Sequence, residues 1–274
     1  MNCPRSISSL RVVSTLVLLA CAVGLVIPRL ARAAEPEKPI RALLVVGGCC
    51  HDYARQKELL TKGISARANV EWTIAYDPDT TTKHANPVYD NPDWAKGFDV
   101  VVHDECSADV TDAEFIKKVL KPHREGVPAV LVHCGMHSYR GEGYPKATEW
   151  FDFTGLASTG HGPQAPIDVH YVDPNHPVTK GLADWKTIKE ELYNNSAGKL
   201  HDTAHALAEG TQVVTDRNGQ TRTDHAIIAW TNLYNDKTRV FSTTLGHNND
   251  TVGDDRYLDL ITQGLLWAVG REKP

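Results

Sequence analysis

Apolar and polar positions follow two different rhythms along this chain. In the first half, short unbroken apolar runs alternate with segments of helical periodicity. Residues 42–46 form a continuous apolar run closed by Gly47-Gly48, the pattern of a strand buried on both faces. Residues 55–66 read as a helix with Leu59, Leu60 and Ile64 on one side, and 70–76 as a second strand. Residues 98–103 form a third strand centred on Val100-Val101-Val102. Thr111-Asp112-Ala113-Glu114 is a capping box that opens a helix carrying Phe115, Ile116, Val119 and Leu120. Gly126-Val127-Pro128 ends it, and 129–132 is a fourth buried strand. This βαβ rhythm predicts a parallel sheet with helices on both faces. The second half is less regular. Residues 167–172 and 226–231 read as strands, and 239–244 as another, joined through the turn-prone Asn235-Asp236. Residues 256–269 close the chain as an amphipathic helix with Leu258, Ile261, Leu265 and Leu266 apolar.

The first 33 residues have a different pattern. Arg5 and Arg11 precede an apolar stretch over 12–27, and Ala31-Arg32-Ala33 is a small-x-small cleavage site. The stretch is short for a span that needs ~20 residues, so 1–33 is expected to be a cleaved export signal. Leu18-Leu19-Ala20-Cys21 resembles a lipobox only faintly, because the apolar run continues past Cys21. A short linker at 34–40 leads into one α/β domain over 41–274, the expected size for a single core. The expected location is periplasmic or secreted.

Removing the leader changes the arithmetic. The full chain has 274 residues and a net charge of −5. The leader holds four Arg and no acid, so the mature chain carries −9. An acidic chain without basic clusters is not a nucleic-acid binder, and it has no affinity for a membrane surface beyond the leader. Cys49, Cys50, Cys106 and Cys134 remain, in a compartment where disulfides persist. Adjacent Cys49 and Cys50 are expected not to pair with each other, because the ring would be strained.

The chain has 13 His against 5 Phe and 2 Met, and His is both the commonest metal ligand and the usual acid/base near neutral pH. In an open parallel sheet, ligands bind beyond the carboxyl ends of the strands. Four expected strands end at or near a histidine: His51, followed by Tyr53; His103; His133 with His137; and His247. These imidazoles are the candidates for acid/base chemistry or for a divalent metal. His51, His133, His137 and His247 are the metal candidates, and Glu190 or Glu191 is a source of carboxylate. Asp104 and Glu105 with Glu190 and Glu191 are candidates for a paired-carboxylate site. Cys134 follows a buried strand, where a nucleophile elbow is found in hydrolase folds. His247 is its obvious base, but Asn248-Asn249 follow it where an orienting Glu would be needed.

Further motifs carry a family resemblance. They are Val132-His133-Cys134-Gly135-Met136-His137-Ser138-Tyr139, Asn175-His176-Pro177-Val178-Thr179-Lys180-Gly181-Leu182 and Glu190-Glu191-Leu192-Tyr193. Near the end come Ala229-Trp230-Thr231, then Thr238-Arg239-Val240-Phe241-Ser242-Thr243-Thr244-Leu245-Gly246-His247, and finally Gly264-Leu265-Leu266-Trp267-Ala268. In this order they resemble the trehalose-utilisation (ThuA-like) family over about residues 41–270. The resemblance implies a three-layer, flavodoxin-like sandwich of the class I glutamine amidotransferase type around a mostly parallel sheet. It also implies glycoside processing, by hydrolysis or elimination on a disaccharide or 3-keto glycoside. The expected catalytic set is His133, His137, His247, Glu191 and Cys134; the expected sugar contacts are His51, Tyr53, His103, Tyr139 and Tyr193. A divalent ion such as Zn or Mn is left open as cofactor, and a homo-oligomer as assembly; the expected partner is a small carbohydrate. Two alternatives stand beside this reading: a non-catalytic sugar-binding module of the same fold, and a hydrolase using Cys134.

Overall fold

The computed structural model describes Met1 and residues 38–215 and 218–272; apart from Met1, the expected leader at 1–33 lies outside the described residues. The expected apolar runs become the central strands. β1 (Ile40–Gly48) lies between β2 (Val70–Asp77) and β3 (Val100–Cys106), and β4 (Ala129–Val132) pairs with β3 and β9 (Thr238–Thr243), all in parallel. Every residue of β3 and β4 is buried, the polar His103, Asp104 and Glu105 of β3 included. The sheet order is β2-β1-β3-β4-β9-β8-β7-β5-β6.

The second half adds antiparallel strands to this parallel core. β5 (Ala165–Tyr171), β6 (Trp185–Glu190), β7 (Ala204–Thr215) and β8 (Thr221–Tyr234) extend the sheet entirely in antiparallel pairs. The long β7 was not legible in the sequence. Its register shifts around Ala206, Ala208 and Glu209 break the two-residue alternation that announces a half-buried strand. Asn235 and Asp236 turn β8 into β9 with φ of 51° and 56°, as a tight hairpin demands.

Helices cover both faces. α1 (Tyr53–Ser65) and α5 (Asp255–Ala268) bury Leu60, Ile64, Leu258, Ile261 and Leu265 against Leu44, Val102, Val130 and Phe241. α2 (Ala113–Glu125) and α3 (Glu149–Thr154) bury Ile116, Val119, Leu120, Trp150 and Phe153 against Leu43, Val45, Val101 and Leu131. The result is the three-layer sandwich. α2 starts one residue later than the capping box suggests: Asp112 is the cap, its carboxylate accepting from Phe115 N at 2.7 Å. Gly264 lets α5 lie close on β9, since a Cβ there would meet the Phe241 ring. Residues Glu37–Pro274 make one compact unit. No helix among the described residues is long and apolar enough to cross a membrane.

Candidate active site

Three parallel strands deliver imidazoles to one sheet edge. β1 continues through Cys49-Cys50 to His51, β4 runs into a single 3-10 turn over His133–His137, and β9 leads through Leu245-Gly246 to His247. One ring nitrogen from each of His51, His133 and His247 lies within 4.8 Å of the others. The rings meet edge to face, with centroids 4.7 Å apart for His51–His133 and 4.9 Å for His51–His247.

Each imidazole is fixed by its surroundings. His133 Nδ1–H donates to the Thr244 carbonyl at 2.6 Å, which turns Nε2 toward Tyr193 Oη at 3.2 Å and Glu191 Oε2 at 3.5 Å. The His247 loop is held from two sides. Its backbone N–H and that of Asn248 donate to Glu190 at 3.1 and 3.2 Å, while Gln56 Nε2 donates to the Gly246 carbonyl at 3.0 Å. Gly246 has φ of +123°, a conformation that favours glycine, and so aims His247 into the site. The carboxylates at the end of β6 are therefore divided in role: Glu190 positions the loop and Glu191 faces the imidazoles.

Glu191 Oε2 lies 3.3 Å from His247 Nδ1 and 3.5 Å from both His133 Nε2 and His161 Nε2. Burial favours the neutral acid, but the imidazoles of His133 and His247 outweigh it and hold Glu191 below the usual carboxylate range. Glu191 in turn raises the pKa of His247. Burial, with His133 and His247 nearby, pushes His51 down to about 2, so it stays neutral.

The remaining sequence candidates separate. His137 stacks on Tyr193 with ring centroids 3.9 Å apart, and its Nε2 meets Ser158 Oγ at 2.8 Å; it lies outside the three-imidazole cluster. Tyr53 is buried beneath His51, its ring edge-on at 5.5 Å. Tyr139 is fully buried between Phe115 and Trp150, and lines a different cleft with Ile116 and Gly141. His103 is not at the edge. β3 runs three residues past it, pairing Asp104, Glu105 and Cys106 with Val46, Gly47 and Gly48. His103 therefore points into the α2 layer, where Nδ1 meets Glu105 at 2.8 Å and Nε2 meets His123 at 3.1 Å. Asp104 and Glu105 are buried with it, and burial pushes Asp104 up to about 8. His176 is structural as its Pro-containing turn suggests, its Nδ1 accepting from Val178 N.

The cysteines correct the sequence reading most sharply. Cys49 and Cys50 are bonded to each other, and Cys106 is bonded to Cys134. The adjacent pair fits because Cys50 takes φ of +83°, which bends the chain away from β1. Cys134 thus stands in the nucleophile position without a free thiol.

The four cysteines, His51, His137, Glu191, Tyr193 and His247 line a cleft of about 420 Å³ with Arg140, Thr159, Gly160 and His161. Sequence reading missed His161, Arg140 and Gln164. His161 packs near Tyr193 at 5.6 Å, and Gln164 Nε2 lies 2.7 Å from His247 Nε2. The flanking glycines of Gly160-His161-Gly162 were the available signal, but this loop belongs to no expected strand end. A cleft of about 470 Å³ lined by Arg67, Lys180, Asp259 and Gln263 gathers no comparable imidazoles or thiols.

Residues 41–268 match the family model described as ThuA, trehalose utilisation. No curated protein matches the chain. Among solved structures, a ThuA-like protein from Parabacteroides merdae is similar with a TM-score of 0.59 at 21% identity, covering 86% of this chain and 92% of that one. A ThuA-like protein from Bacteroides uniformis is similar with a TM-score of 0.62 at 15% identity, covering 88% and 97%. A glutamine amidotransferase from Thermotoga maritima has a TM-score of 0.47 at 10% identity, covering 85% and 99%.

Proposed function

Because the chain belongs to the trehalose-utilisation (ThuA) family, we propose that it is an exported carbohydrate-active enzyme, acting on a disaccharide or its 3-keto derivative by hydrolysis or elimination. The observation that supports this reading is the convergence of His51, His133 and His247 beside Glu191, with His51, His247 and Glu191 lining one cleft.

Three imidazoles beside a carboxylate form a donor set that suits zinc, manganese or a similar divalent ion. The buried Nδ1 atom of His51 lacks a hydrogen-bond partner, so the residues fit such an ion. His51, His133 and His247 would hold it. When bound, the ion supplies Lewis acidity toward a carbonyl or glycosidic oxygen. The chain's own residues supply the rest. Glu191 is ionised and faces the cluster, placed to take the proton from the carbon beside a substrate carbonyl. Burial keeps His51 neutral and therefore able to offer a lone pair. Tyr193 Oη, beside His133 Nε2, is placed to donate to a substrate oxygen, and its ring is held flat by His137. Arg140, with its Nε buried and unpaired, and His161 border the sugar space.

The test is a product screen of the mature protein on disaccharides, glycosides and 3-keto glycosides, with and without chelator. The expected result is turnover of a glycoside or keto-glycoside that chelation abolishes and a divalent ion restores. Sugar binding without turnover of any member would replace the enzyme with a binding module. Turnover untouched by chelation would remove the ion.

A further inference from the structure

All four cysteines of the described domain line the same cleft, in two bonded pairs that touch. Cys50 is exposed, whereas Cys49, Cys106 and Cys134 are buried. Cys49 Sγ lies 4.0 Å from Cys106 Sγ, so a sulfur of the outer pair rests in contact with a sulfur of the inner pair. Cys106 and Cys134 in turn lie with His51 in a group whose ligand atoms are within 4.8 Å. This arrangement connects solvent to the wall of the imidazole cluster through sulfur alone.

We propose that the cleft contains a thiol–disulfide relay, in which an external dithiol reduces the exposed Cys49–Cys50 pair and the electrons pass to the buried Cys106–Cys134 pair. A thiolate of the dithiol attacks Cys50 Sγ, forms a mixed disulfide and releases the Cys49 thiolate. Cys49 attacks Cys106 Sγ, the sulfur it already touches, and the Cys134 thiolate leaves. The second thiol of the dithiol resolves the mixed disulfide, so the reductant departs as its own disulfide and frees the Cys50 thiolate. Cys50 then attacks Cys49 Sγ, re-forms the outer disulfide and releases the Cys106 thiolate. The balance is one dithiol oxidised and one inner disulfide reduced, with two electrons and two protons transferred. The relay opens two thiols beside His51 while the outer pair returns to its starting state. It is independent of the sugar reading.

The experiment follows thiols, so it needs no substrate. The oxidised mature protein is treated with a reduced thioredoxin-type protein dithiol, which is too large to enter the cleft. Free thiols are then alkylated and mapped by peptide mass spectrometry. In the wild type, Cys106 and Cys134 become alkylated. In the Cys49→Ser/Cys50→Ser double variant their reduction slows at least tenfold. After free thiols have been blocked in denaturant, a small phosphine reductant exposes Cys106 and Cys134 anew, verifying that the inner bond had formed. In Cys50→Ser, the lone Cys49 attacks Cys106, giving a Cys49–Cys106 linked peptide with Cys134 free; this signature decides the matter if the double variant fails to form the inner bond. Reduction of the double variant at the wild-type rate, an intact Cys106–Cys134 bond beside a free Cys49 in Cys50→Ser, or four free thiols in the air-oxidised protein would each overturn the relay.

Discussion

Acidification is expected to weaken this fold through His123. The ring is fully buried on α2; its Nδ1–H donates to the Val127 carbonyl at 2.8 Å, and its Nε2 faces His103 Nε2 at 3.1 Å. Burial, followed by the charge of His103, pushes its pKa down to about 3, against about 6.5 in an unfolded chain. Above about pH 6.5 the ring is neutral in both states and the protein has its full stability. Below that, the unfolded chain takes up a proton that the native state refuses, so stability falls until the pH reaches the folded pKa. The slope is about 1.4 kcal/mol per pH unit for one such group. Between about pH 6.5 and 4.5 this amounts to roughly 3 kcal/mol, a large part of a typical total of about 5–15 kcal/mol. The assay is urea unfolding at constant ionic strength over that range, for the wild type and for His123→Phe. The variant keeps a ring but cannot titrate. It loses about 1–3 kcal/mol at neutral pH, because the Val127 carbonyl and His103 are left unpaired. Its stability should nevertheless fall less steeply, by about 1.4 kcal/mol per pH unit. Parallel curves for the two proteins would refute the reasoning, since they would mean His123 is protonated in the native state.

Gly246→Ala forces a side chain into φ of +123° and against Tyr257 Oη; it should cost about 1–3 kcal/mol in thermal unfolding and lower turnover by displacing His247. Trp150→Phe removes the Nε1–H that donates to Gly135 O at 2.9 Å, inside the turn between His133 and His137. It should cost about 1–3 kcal/mol and reduce turnover together with stability. Gly264→Ala should lower the unfolding midpoint by overpacking α5 on Phe241, at about 1–3 kcal/mol, and leave turnover per folded molecule unchanged. Glu191→Gln keeps the size of the side chain but removes its charge; turnover should fall by about 10²–10⁴-fold with folding intact.

The sheet's parallel core was legible because burial on both faces leaves unbroken runs such as Ala42 to Val46 and Ala129 to Val132. The antiparallel extension was only partly legible, because bulges in β7 destroy the alternation that marks such strands. The rule that ligands gather at strand ends named His51, His133 and His247, which the structure brings together, since Gly47-Gly48, the turn at His133 and Gly246 mark where their strands stop. The same rule misplaced His103, because the polar Asp104 and Glu105 look like the end of β3 although they continue it into the interior. His161 and the Cys106–Cys134 pair depend on contacts between segments distant in the chain, for which one sequence has no periodic signal.

The most direct test of the central claim is kcat/KM of His133→Ala on the best substrate from the glycoside screen. His133 is the imidazole that touches both Glu191 and Tyr193 and shares the cluster with His51 and His247. The account predicts a loss of at least about 100-fold with unchanged folding. An unchanged kcat/KM in a folded variant would contradict it, and would mean that the convergence of imidazoles at this sheet edge is not the catalytic centre.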